Sequence, residues 1–133
     1  MNGRLTIPAA AAAALMVICL AGCGEDRTYE SVVKDTIRLF NDEADVLAGV
    51  HDWTGAREAT EKLRTLAKRA LDLQGDVKKM PKPTPEMERD LDRSCSQEMI
   101  KALTRVKTEM DRIKEQAGPD AWKLVSDALR RPN

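Results

Sequence analysis

The feature that most constrains the fold is an apolar pattern of helical period between residues 56 and 80. Apolar side chains recur there at alternating steps of three and four residues, which places them on one stripe of an α-helix, as in the seam of a coiled coil. The side chains of this seam are Ala56, Ala59, Leu63, Leu66, Ala70, Leu73, Val77 and Met80. Glu58 and Lys62 fall on the solvated side, in the favourable order for a pair four residues apart.

Two further segments have the same period. One predicts a helix over residues 28–51, with the apolar positions Val33, Ile37, Phe40, Ala44, Leu47 and Val50. The other is the longest periodic segment, with the apolar positions Leu91, Cys95, Met99, Ala102, Val106, Met110, Ile113 and Ala117. Gly118 and Pro119 end this helix, and a short fourth helix extends from there to about Arg130.

Proline and polar residues mark the connections. Residues 81–85, Pro-Lys-Pro-Thr-Pro, cannot continue a helix, because proline lacks an N–H and disfavours helical geometry in the residue before it. Asp52 or Thr54 is a suitable N-cap for the second helix, and Thr84 for the third. Short connections make successive helices antiparallel neighbours. We therefore predict an all-α domain over residues 29–133: an antiparallel three-helix bundle, coiled-coil-like, with a short fourth C-terminal helix.

Residues 1–22 have the layout of an export signal. Arg4 supplies a positive charge, residues 5–20 are uncharged, and the small residues Ala21 and Gly22 follow. As a membrane span the segment is weak, because many of its residues are alanine and a span needs roughly 20 strongly apolar residues.

The end of this segment, Leu20-Ala21-Gly22-Cys23, resembles the lipobox of bacterial lipoproteins. The resemblance implies cleavage between Gly22 and Cys23, a thioether-linked diacylglycerol on Cys23 and usually a third, amide-linked acyl chain such as palmitate. Residues 23–28 then form a lipidated N-terminus and a short tether. We expect a protein anchored to the cell membrane or the outer membrane, facing the periplasm or the exterior. The alternatives are an ordinary signal peptide with a soluble product, and an uncleaved anchor.

The three cysteines do not predict a disulfide. Cys19 leaves with the signal and Cys23 is alkylated, so only Cys95 keeps a thiol and the fold must rest on packing. Cys95 keeps the heptad spacing of its helix, as do the methionines, and is interpreted as a small buried hydrophobe. Met80, Met99 and Met110 are interpreted as core filler.

Composition and motifs argue against several function classes. The formal net charge is 0, which gives no general attraction to nucleic acid. The sequence has no Gly-rich phosphate loop, CxxCH haem attachment, zinc ligand set or Ser/His/Asp constellation, and its single histidine cannot pair with another. The acidic group Asp42, Glu43 and Asp45, with His51, spreads round a helix, so solvation is favoured over metal binding. We predict no enzymatic activity, no cofactor and no metal.

An anchor before the first helix means that this helix points away from the membrane, the second returns and the third points away again. The bundle therefore has an end proximal to the membrane and a distal end. Lys78, Lys79 and Lys82 fall at the proximal end as candidate contacts for lipid headgroups, or they complement the dipole at the end of their helix. Trp53 and Trp122 fall at the distal end as candidate contacts for a partner, since tryptophan is favoured at binding hot spots, or they close the end of the bundle.

The leading hypothesis is a non-enzymatic, lipid-anchored envelope protein that acts as a structural or protein-interaction module. The part after the signal resembles small, charged, helical-bundle lipoproteins of the bacterial envelope that have no assigned activity; this resemblance is compositional and transfers no functional residue. The alternative is a carrier of a small molecule or haem between the helices, with His51 and Met110 towards the same end as haem ligands.

Overall fold

A computed structural model of the protein describes residues 27–130. The export signal, the cleavage site at Gly22 and the lipidation site at Cys23 lie outside the described residues. Within residues 27–130 the chain is helical and forms no strand, which confirms the predicted all-α class. The α-helices are α1 (Tyr29–Ala48), α2 (Trp53–Lys79), α3 (Pro85–Arg112) and α4 (Pro119–Leu129), and a π-helical turn, Ile113–Ala117, joins α3 to α4.

None of the helices formed by the described residues combines the length and the apolar character that a membrane-spanning helix requires.

Each of the three long helices begins at a polar side chain that caps it. The caps are Thr28, Asp52 and Thr84, whose side-chain oxygens accept hydrogen bonds from the backbone N–H three residues later at 3.1, 2.7 and 3.2 Å. These bonds satisfy N–H groups that have no partner inside the helix. The predicted cap of α3 is confirmed, and Asp52 rather than Thr54 caps α2.

Helix α1 packs against α2 on one side and against α3 on another. Helices α2 and α3 have little or no contact with each other. Val32 and Leu39 belong to a buried cluster with residues of α2. Ile37 belongs to a separate cluster with Cys95 and Ala102 of α3. The single stripe predicted for α1 omitted Val32 and Leu39, because it assumed that the helix buries only one face.

The largest buried cluster lies where α4 and the π-helical turn pack against α2 and the end of α1. Its buried members are Leu47, Val50, Ala56, Ala59, Leu63, Ile113, Ala121, Val125 and Ala128. Four of these residues are alanines, two on α2 and two on α4, and their small side chains permit close approach of the backbones of these two helices. Gly118 precedes α4 with φ at 94°, a conformation that glycine adopts at little cost, and this allows the chain to change direction between the turn and α4.

The predicted seam of α2 is largely buried, with two differences. Val77 is exposed, because α3 does not cover this part of α2. Ala67, which the prediction omitted, is buried, since α1 and α4 both pack on α2 and widen its buried face. Met80, Met99 and Met110 pack against the three clusters at partly buried positions, and Cys95 is a buried free thiol.

Arg112, the last residue of α3, caps the C-terminal end of α1. Its Nη1 donates to the carbonyl oxygen of Val50 and its Nη2 to that of Leu47, both at 2.9 Å. Its Nε donates to Glu109 at 2.6 Å. The Leu47 oxygen also accepts from the backbone N–H of Val50 at 3.0 Å, so the guanidinium gives it a second donor. For the Val50 carbonyl, which lies just beyond the last residue of α1, the guanidinium supplies a charge-assisted donor.

We predict that Arg112→Ala lowers the free energy of unfolding by about 2 kcal/mol, because charge-assisted hydrogen bonds to two buried or partly buried carbonyls are lost. Urea denaturation followed by circular dichroism measures the change. The control is Arg64→Ala, which removes an exposed ion pair with Glu61 within α2 and should change stability by less than about 0.5 kcal/mol. Equal effects of the two substitutions would contradict the capping role of Arg112.

Candidate functional site

The first turn of α1 is tied to the connection between α2 and α3. Tyr29 Oη donates a hydrogen bond to the backbone oxygen of Pro81, 52 residues away. The described chain begins at Arg27, so its N-terminal end and the proline-rich connection lie at the same end of the fold. We call this end, formed by residues 27–30 and 76–87, the base.

A cavity of about 740 Å³ opens at the base beside Tyr29. Its charged lining residues are Arg27, Asp76, Lys79 and Lys82, and the remainder of its lining is Thr28, Tyr29, Met80, Pro81, Thr84 and Met87. Three different parts of the chain therefore form its wall: the start of α1, the end of α2 and the connection into α3.

Three carboxylates at or near the base have cationic partners. Arg27 contacts Asp76 at 3.1 Å and Asp35 at 3.0 Å, so its charge is balanced within the protein. Glu30 accepts a hydrogen bond from Lys34 at 2.6 Å. This bond and the positive charge of Lys34 hold the pKa of Glu30 below its usual value. The same bond and the negative charge of Glu30 raise the pKa of Lys34. Glu30 is therefore ionised at neutral pH, and Lys34 compensates its charge.

The three lysines predicted to contact lipid headgroups all lie at the base, but only two face the cavity. Lys79 and Lys82 line it, and Lys78 is not among its lining residues. None of the three forms an ion pair with another residue in the described part of the chain. Lys78 and Lys79 also occupy the last turn of α2, where a positive charge complements the helix dipole.

The opposite end of the domain, which we call the far end, comprises residues 49–57 and 113–122. The structure places both tryptophans there, in different environments. Trp53 is 47% exposed, and the guanidinium of Arg57 lies 5.6 Å from the centre of its ring. Trp122 is half-buried against the largest cluster, with Lys114 Nζ 5.4 Å from its ring centre. Trp122 helps to close the core, and Trp53 is the indole that the far end displays.

Two acidic residues of α1 link it to its neighbouring helices. Asp42 forms an ion pair with Arg69 of α2 at 3.4 Å, and Asp45 with Arg105 of α3 at 2.6 Å. Within residues 27–130 no group of three or more His, Cys, Asp and Glu side chains is placed to hold a metal ion.

Sequence analysis missed one exposed apolar pair on α3. Ile100 is 61% exposed and Leu103 is also exposed. Both fall outside the predicted apolar stripe of α3, and their spacing of three residues on a helix is the signal that could have identified them.

The two residues considered as haem ligands have unlike surroundings. His51 is exposed in the connection between α1 and α2, and Met110 packs against the largest cluster.

Comparison of the chain with protein-family models, with curated proteins and with solved structures finds no match. The functional argument therefore depends on the residues and geometry described above.

We predict that the two tryptophans differ in solvent access, because only Trp122 packs against the core. Trp53→Phe should leave a blue-shifted emission that acrylamide quenches weakly, and Trp122→Phe a red-shifted emission that it quenches strongly. In parallel, Trp122→Ala should lower the free energy of unfolding by roughly 2 kcal/mol and Trp53→Ala change it by less than about 0.5 kcal/mol. Similar quenching of both single-tryptophan variants would contradict the different roles given to the indoles.

Proposed function

We propose that this protein is a non-enzymatic, lipid-anchored component of a bacterial envelope that displays a helical bundle to a protein partner. The observation that carries the proposal is the lipobox-like Leu20-Ala21-Gly22-Cys23, after an apolar segment and four residues before the described domain begins at Arg27. Two or three acyl chains, each contributing about 0.8 kcal/mol per buried CH₂, hold a small domain on a membrane with little exchange.

The position of residue 27 supports an orientation for the anchored domain. The hydrogen bond from Tyr29 to Pro81 keeps the start of α1 beside the lysine-containing connection. An anchor at Cys23 therefore brings the base towards the membrane and leaves the far end directed away from it. Lys78, Lys79 and Lys82 then lie on the membrane side, where a lysine close to an anionic surface contributes up to about 1 kcal/mol.

The proposed architecture is an antiparallel three-helix bundle in which α4 covers one end. Burial of α1 between α2 and α3, and the link from Arg112 to the end of α1, support it. Three buried clusters hold the helices together, and these helices support the residues of the far end on a rigid backbone.

The far end supports protein contact better than catalysis. Trp53 offers a large, half-exposed indole with a cation above it, on a helix that the Asp52 cap and the core hold in place. Tryptophan is enriched among the residues that contribute most to binding at the centres of protein interfaces. The carrier alternative receives less support, because His51 is exposed in a connection whereas Met110 packs against the largest cluster.

We predict that Cys23→Ala abolishes incorporation of radiolabelled fatty acid into the protein and releases it from the membrane fraction. The labelled band and its distribution after ultracentrifugation measure both effects. Cys95→Ala, which removes a buried thiol of the domain, is the matched control and should leave labelling unchanged. Continued labelling of the Cys23→Ala protein would refute the anchoring proposal.

A photoreactive amino acid in place of Trp53 should capture an envelope protein in intact cells, identified by mass spectrometry. The same probe in place of Lys68, which is exposed two turns further along α2 than Glu61, is the control and should capture much less of that protein. Equal capture at both positions, or retention of haem with a Soret band in the purified protein, would argue against a contact surface centred on Trp53.

A further inference from the structure

We propose that the cavity at the base binds the phosphodiester headgroup of an anionic phospholipid, with Lys79 and Lys82 as the charged contacts. This inference rests on the proposed anchoring at Cys23 and extends it. The anchored domain is then oriented by a lipid seated in its own base as well as by its acyl chains.

The short tether brings the cavity within reach of headgroups. Four steps along the chain separate Cys23 from Arg27, a lining residue of the cavity. An extended chain spans at most about 3.6 Å per residue, so the two Cα atoms lie no more than roughly 14 Å apart. A cysteine whose acyl chains are in the bilayer therefore holds the mouth of the cavity within the thickness of the headgroup region and the water next to it.

The charges on the cavity wall are arranged for an anion. Asp76 is the only acidic residue among the lining residues, and Arg27 contacts it at 3.1 Å. Arg27 also contacts Asp35, which Arg38 contacts in turn at 3.5 Å, so the two arginines balance the two aspartates. Lys79 and Lys82 have no carboxylate partner among the described residues, so each offers an uncompensated ammonium. A monoanionic phosphodiester bound by both lysines acquires two cationic neighbours without breaking an internal ion pair.

The remainder of the wall suits a phospholipid better than a free ion. Met80 and Met87 add apolar surface, and Tyr29 presents a ring whose hydroxyl is bonded to Pro81. Tyrosine is favoured where an apolar body and a polar tip meet the membrane interface. A volume of about 740 Å³ lies in the range of small-molecule sites and exceeds what inorganic phosphate would fill.

The cavity is also held in shape. The hydrogen bond from Tyr29 closes one wall across 52 residues of sequence, and prolines at positions 81, 83 and 85 restrict the backbone of the connection. The two lysines therefore project from a stiff backbone.

The test uses the mature lipoprotein, purified from the membrane with its acyl chains and reconstituted into vesicles. One set contains phosphatidylcholine alone, and the other is an equimolar mixture of phosphatidylcholine and phosphatidylglycerol. Amine acylation followed by peptide mass spectrometry reports the reactivity of each lysine. Phosphatidylglycerol should slow acylation of Lys79 and Lys82 by roughly fivefold each, the factor that corresponds to the attraction of one lysine to an anionic surface.

Two lysines serve as internal controls. Lys78 lies at the base but does not line the cavity, and it should be slowed less than Lys79 and Lys82. Lys62 on α2 lies beside the far-end residues Gly49 and Gly55, and its reactivity should not change. Equal slowing of all three base lysines would indicate a diffuse surface contact and overturn the cavity proposal. Unchanged reactivity of Lys79 and Lys82 would overturn it as well.

A second measurement uses variants. Native mass spectrometry of the protein released from mixed micelles should show phosphatidylglycerol bound to the wild type and to Lys78→Gln, and lost from the double variant Lys79→Gln/Lys82→Gln. All three substitutions replace exposed side chains and should leave the circular dichroism spectrum unchanged. Retention of the lipid by the double variant would refute the site. Protection of the lysines by soluble glycerol phosphate on phosphatidylcholine vesicles would overturn the assignment to a lipid.

Failure of this inference is distinguishable from failure of the proposed function. A protein without acyl chains on Cys23 would not float with vesicles of either composition. A protein that floats with both, but keeps Lys79 and Lys82 reactive, is anchored as proposed and lacks the headgroup site.

Discussion

Helix α1 is held from two sides, and the positions of α2 and α3 are defined by their contacts with it. Burial provides most of this attachment, because full burial of a leucine or valine contributes about 1.5–3 kcal/mol. The ion pairs that join α1 to its neighbours, through Asp42 and Asp45, are largely exposed and contribute about 0–1 kcal/mol each. Arg112 is the exception among the charged residues, since its guanidinium satisfies carbonyls at the end of α1.

Much of the local structure could be predicted from the sequence, because it depends on neighbouring residues. The period of the apolar residues gave four helices, and the caps Asp52 and Thr84 lie among the residues expected to begin α2 and α3. The second buried face of α1 could not be predicted in this way. Its burial depends on which helices flank α1, and a periodic pattern does not specify how many partners a helix has.

The candidate sites also differ in whether they depend on local sequence or on contacts between distant parts of the chain. A motif of four residues is enough to predict lipidation at Cys23, because the chemistry depends on local sequence rather than on the fold. The base cavity depends on contact between Tyr29 and Pro81, 52 residues apart, so no local pattern reveals it. The sequence also treated Trp53 and Trp122 as a pair, whereas packing of α4 covers one of them and leaves the other exposed.

The lack of packing between α2 and α3 has a consequence for cooperativity. The first turns of α3 are almost entirely exposed, and the buried residues of that helix begin only at Cys95. Local opening needs less free energy where few apolar contacts are broken, so the start of α3 separates from α1 more readily than α4 separates from α2. Stability therefore differs along the domain and is lowest in the first turns of α3, which follow the connection that the Tyr29–Pro81 hydrogen bond holds in place. Opening of this segment leaves the far end intact, because the largest buried cluster joins α2, α4 and the end of α1 there.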